Sequence, residues 1–180
     1  MRNSISIFGW KAILRNYGII GWVIDSILPI IISSVICALI YIKDVDIFVQ
    51  LQHLLEIGIS IVPAMVALIL TAYTIILTFI ISDRFSSIKK TKEGKQLIQD
   101  LNSSFAACLI VSTISIITMI VISCITNMEI EIQEPNIVNY PAFFVICYLL
   151  VYSVSILLGI VIDIFNSGQT TILEDNNDTI

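Results

Sequence analysis

Residues 57–82 read IGISIVPAMVALILTAYTIILTFIIS, an uninterrupted run without a single charge. A helix of that length exceeds the roughly 30 Å hydrocarbon core of a bilayer. The run also carries a pattern. Ser60, Ala64, Ala67, Thr71, Thr74, Thr78 and Ser82 recur at spacings of four and three, so a helix places them on one face. Ile, Leu, Val and Met occupy most of the remainder. In lipid, small residues let helix backbones approach closely, and hydroxyls bond across. The expectation is that this helix packs on its small face, that the other spans gather round it, and that Ile69, opposite Ala67 and Thr71, faces outward.

Three further runs have the same character. Residues 18–42, 105–126 and 141–165 complete four candidate spans in one domain of 180 residues. Charged residues make up 13% of the chain, against about 25% in a soluble domain, which places it with membrane proteins. The fold class that follows is all-α: a polytopic membrane protein built as a four-helix bundle. The third span repeats the pattern of the second, with Ser104, Cys108, Ser112, Ser115, Met119, Ser123 and Thr126 at spacings of four and three. Two successive helices with matching small faces are expected to pair antiparallel, with Ala64, Ala67, Thr71, Thr74 and Thr78 against Ser112 and Ser115. On the fourth span Tyr148, Tyr152, Ser155, Gly159 and Asp163 share a face. In the first span Pro29 should kink the helix, and Trp22 resembles an interfacial anchor.

Lysine and arginine set orientation. Arg2, Lys11 and Arg15 precede the first span, and Arg84, Lys89, Lys90, Lys92 and Lys95 lie in the 83–104 connection. Only Lys43 lies in an outer loop, beside Asp44, Asp46 and Glu56. An eight-to-one bias predicts both termini and the 83–104 loop in the cytoplasm. It also puts Asp25 and Asp163 in one leaflet, as a polar pair facing the bundle or as interfacial carboxylates neutralised by Arg15, Arg84 or water. His53 and Glu56 fall in the outer loop, 43–56. Residues 166–180 read as a mobile acidic tail.

The chemistry-bearing motifs of enzymes are absent: no Walker loop, no GxSxG and no HExxH. Cys37, Cys108, Cys124 and Cys147 lie in apolar runs with no CxxC and no neighbouring histidine, so neither zinc nor another cofactor is expected. No span holds a histidine to activate a serine or cysteine. Nothing resembles the basic footprint of direct nucleic-acid binding. Two function classes remain. One is a non-enzymatic subunit that senses or anchors, as a homo-oligomer, recruiting a soluble partner through Arg84, Lys89, Lys90, Lys92 and Lys95; those cations equally suit anionic membrane lipids. The other is a small ion or solute channel or transporter using Asp25 and Asp163.

The run VPAMVALILTAYTIIL at 62–77, and the hydrophilic connection leading into DLNSSFAACLIV at 100–111, resemble the small four-span membrane subunits of bacterial anti-phage defence systems of the Kiwa type. The resemblance extends over size, span number and layout. It implies a homo-oligomer in the inner membrane that recruits a soluble, nucleic-acid-directed partner and responds to phage attachment or injection. It assigns no site residue.

Overall fold

A computed structural model describes Ile13 and residues 17–81, 91–128 and 139–177. Four helices account for nearly all of them: α1 Ile19–Ile42, α2 Ile47–Ile81, α3 Lys92–Met128 and α4 Asn139–Asn177. Each contains a stretch long and apolar enough to cross a membrane: Gly21–Ile42, Ile47–Thr78, Gly94–Thr126 and Asn139–Phe165. The chain is a helical, multi-pass membrane-type bundle.

The helices are longer than the apolar runs alone suggest, and local capping explains part of this. Asp46 ends the short 43–46 connection, and its carboxylate accepts from the amides of Phe48 at 2.9 Å and Val49 at 3.4 Å. That satisfies free donors of the first turn and starts α2 at Ile47, ten residues before the uncharged run. His53 and Glu56 are therefore helical, not in a loop. Thr91 does the same for α3, accepting from the amide of Gly94 at 3.0 Å. Within the polar 83–104 connection Lys92 to Asn102 are helix that runs straight into the third span, and the chain from 166 to Asn177, expected to be a free tail, is helix as well. At the start of α1, Gly18 has φ 76°, a left-handed conformation that suits glycine, and turns the chain between Tyr17 and Ile19.

The hub of the bundle is α4, which packs against α1, α2 and α3; α2 and α3 also pack on each other. This corrects the expectation that the second span is the centre. Two apolar clusters hold the bundle. At the end where residues 43–46 and Asn139 lie, here the loop end, Ile47, Leu51, Leu55 and Val62 meet Met119, Phe143, Ile146 and Cys147. At the opposite, terminal end, Ile69 meets Phe105, Cys108, Val111, Tyr152, Ile156 and Ile160.

The second correction concerns the faces of α2. Ile47, Leu51, Leu55, Gly58, Val62, Met65 and Ile69 are buried, at spacings of four and three. Ser60, Ala64, Ala67, Thr71, Thr74 and Thr78 are all exposed. At 100° per residue the two stripes are diametrically opposed, so Ile69 lies on the packed face at 1% exposure and Ala67 on the outer one. The reason is complementarity. On α3 the small stripe is buried as expected, with Cys108, Ser112, Ser115 and Met119 each at 0% exposure. A small face forms a shallow groove, which large side chains fill with more dispersion contact than a second small face does. Gly58 is a point of close approach: a Cβ there would collide with Met119 Sδ and lie 3.2 Å from Leu150 Cδ2. Between α3 and α4, Ser115 Oγ and Ser153 Oγ are 3.1 Å apart, each also within reach of a carbonyl on its own helix. At the terminal end Tyr73 on α2 donates its hydroxyl to the Asn102 side chain on α3.

Candidate functional site

The terminal end of the bundle holds a cavity of about 390 Å³ between α1, α3 and α4. Its polar lining is Tyr17, Asp25, Asp100, Ser103, Ser104 and Asp163; Gly21 and Gly159 leave the room and Ile156 and Ile160 the apolar wall. Asp25 and Asp163, placed in one leaflet by the sequence, do line one cavity.

Each carboxylate has a hydroxyl partner. Tyr17 donates to Asp25 Oδ2. The ring of Tyr17 reaches it by lying over Gly21, where an added Cβ would meet Tyr17 Cδ1 and Cε1 at 3.3 Å. Burial, and then the bond to Asp25, push the Tyr17 phenol far above its ordinary value, so it remains a donor at any physiological pH. Ser104 Oγ donates to Asp163 Oδ2 at 2.9 Å. Arg15 and Arg84, the cations proposed as partners of this pair, lie outside the described residues.

Asp100 and Tyr17 were not singled out from the sequence as site residues. The signal for Asp100 is its position one helical turn before Ser104, on the stripe that meets α4. For Tyr17 it is the spacing of four that links it through Gly21 to Asp25, masked by the break at Gly18. Trp22 is turned against the bundle, with its ring 5.1 Å from that of Tyr17 and 6.3 Å from that of Tyr152, so it forms an aromatic wall beside Asp25. Tyr152 in turn stacks on Tyr148 at 5.5 Å.

Chemically, this cavity gathers proton acceptors and hydroxyls at the end of three membrane-type helices. That composition suits protons or small cations. Among the described residues no group of three or more His, Cys, Asp or Glu converges to hold a metal ion.

The basic cluster is described only in part. Lys92 and Lys95 are exposed on the first turns of α3, beside Gln96, Gln99 and Asp100. Arg84, Lys89 and Lys90 lie outside the described residues. The small residues predicted to pack helices divide by helix: Ser112 and Ser115 are buried, whereas Ala64, Ala67, Thr71, Thr74 and Thr78 face away from the bundle. The chain matches no family model, no curated protein and no solved structure.

Proposed function

We propose that this protein is a non-enzymatic subunit of the bacterial inner membrane that works as a homo-oligomer and offers its terminal, cytoplasmic end to a soluble partner. The observation that carries the reading is the outward stripe of α2. Six small or hydroxylated residues, from Ser60 to Thr78, are exposed on the side opposite the packed face. Thr71, Thr74 and Thr78 donate to the carbonyls of Ala67, Leu70 and Thr74 at 2.8, 2.8 and 2.9 Å. Their hydroxyls are thus satisfied within the helix, and the face is smooth enough for a second backbone to approach closely. The eight-to-one charge bias supports the orientation. The exposed Lys92 and Lys95 support a docking role for the cytoplasmic end, in the manner of anti-phage defence subunits that couple a membrane event to a soluble effector.

Crosslinking tests the reading. Ala67→Cys or Thr71→Cys should give oxidised dimers between copies in native membranes, and Ile69→Cys should not. Monomeric protein in mild detergent with no crosslink at either position would defeat it. Charge reversal at Lys89, Lys90 and Lys92 should abolish recovery of a stoichiometric soluble partner while insertion is retained.

A second reading is favoured by the carboxylate cavity. There the protein is a small proton- or cation-responsive channel or transporter using Asp25 and Asp163. Ion flux in liposomes that is lost in Asp25→Asn and Asp163→Asn would select it.

A further inference from the structure

The contact of Gly58 with Met119 and Leu150 fixes the relative heights of α2, α3 and α4. Leu150 is eleven residues, about 16 Å of helix rise, from the loop-end start of α4 at Asn139. Glu56 is only two residues, about 3 Å, from Gly58 toward that same end. Glu56 therefore lies roughly 13 Å below the loop-end start of α4.

The neighbouring helices are apolar and outward-facing at and above that height. Val145 on α4 is 40% exposed, and Val121 and Ile125 on α3 are each 51% exposed. These are side chains suited to lipid. Glu56, at the same depth or deeper, has a side chain 79% exposed, with His53 Nδ1 3.8 Å from its Oε2. An ionised side chain in hydrocarbon is costly, and such residues face a bundle interior or a water-filled cavity instead. Glu56 borders a space between two helices. A cleft of about 480 Å³ between α2 and α3 is lined by Gln52, Leu55, Glu56, Ile59, Ser60, Ser123 and Thr126. Its polar groups are one carboxylate, one amide and three hydroxyls.

We infer that this cleft is a water-filled vestibule enclosed by assembled copies of the chain, in which Glu56 attracts small inorganic cations. The inference rests on the assembly reading above. A ring of carboxylates, one from each copy, is the arrangement that draws cations into a pore mouth.

The test uses the full chain in lipid nanodiscs, with the exposed Cys124 replaced by alanine, and charged, membrane-impermeant thiosulfonate reagents. Ser60→Cys should react, and Val145→Cys should react roughly a hundredfold more slowly, reflecting the cost of bringing a charged reagent into hydrocarbon. At Ser60→Cys the cationic reagent should outpace the anionic one roughly tenfold with Glu56 present, because that carboxylate is one helical turn away. Glu56→Gln should bring the ratio close to one. Native mass spectrometry of the same sample reports assembly. A monomer overturns the assembly reading and the vestibule with it. In an intact oligomer, an inert Ser60→Cys overturns the vestibule alone. Equal, fast reaction at Ser60→Cys and Val145→Cys overturns it too, by placing the cleft outside the lipid. A ratio unmoved by Glu56→Gln overturns the attraction of cations.

Discussion

Met119 lies against the backbone of Gly58, so that α3 approaches α2 at a point with no side chain to separate them. Met119 is fully buried and Leu150 of α4 closes the same contact, which ties three helices at one height. Gly58→Ala should be tolerated only as far as the Met119 thioether can swing aside. Gly58→Leu should destabilise by about 1–3 kcal/mol, the usual cost of overpacking. Thermal unfolding in detergent, with Met119→Ala as a partial rescue of Gly58→Leu, measures it.

The opposed faces of α2 separate folding from assembly. Ile69→Ala removes a fully buried side chain and should cost about 2–5 kcal/mol of bundle stability. Ala67→Leu enlarges an outward residue and should leave the bundle's unfolding temperature unchanged while lowering the oligomeric fraction. Unfolding scans paired with mass measurements in mild detergent read the two effects apart. A large loss of bundle stability in Ala67→Leu would contradict the orientation of α2.

The caps make a third prediction. Asp46→Ala and Thr91→Ala should each cost about 0.5–2 kcal/mol by leaving first-turn amides unsatisfied. Hydrogen exchange should rise locally, at residues 48–50 for Asp46→Ala and near Gly94 for Thr91→Ala. Exchange unchanged in both variants would remove the capping account of why α2 and α3 begin where they do.

The serine pair between α3 and α4 is a weak link despite its burial. Ser115→Ala and Ser153→Ala combined should show a coupling of about 0.6 kcal/mol, typical of hydrogen bonds between membrane helices. Ser115→Leu should be far more harmful, because Ser115 has no exposed surface and the added atoms must displace α4. A double-mutant cycle by chemical unfolding in detergent gives both values.

At the terminal end, Tyr17→Phe should loosen Tyr17 and the turn at Gly18, since the phenol donates to Asp25 across that turn. Leaving the half-buried carboxylate without its donor costs about 1–3 kcal/mol or more, for a charged group. Faster hydrogen exchange of the amides from Gly18 to Trp22, with the rest of α1–α4 unchanged, is the expected result. Exchange at the parent rate would mean that Asp25 does not hold Tyr17.

The sequence by itself determined four apolar helices, because length and hydropathy alone settle whether a helix can satisfy its backbone groups in lipid. It also determined the buried stripe of α3, where Cys108, Ser112, Ser115 and Met119 follow one helical face. Asp25 and Asp163 were legible as a pair because span order puts both near the same end. Tertiary structure alone decided which face of α2 is inside. Both faces of that helix are compatible with lipid, so no hydrophobic pattern separates inside from outside. Only the fit of Leu55, Val62 and Ile69 into the shallow surface of α3 and α4 chose between them. The same holds for the depth of Glu56. Its charge borders an apolar run and reads as a loop residue, but Asp46 caps the helix ten residues earlier, and the packing of Gly58 on Met119 sets the carboxylate level with the exposed Val121 of α3.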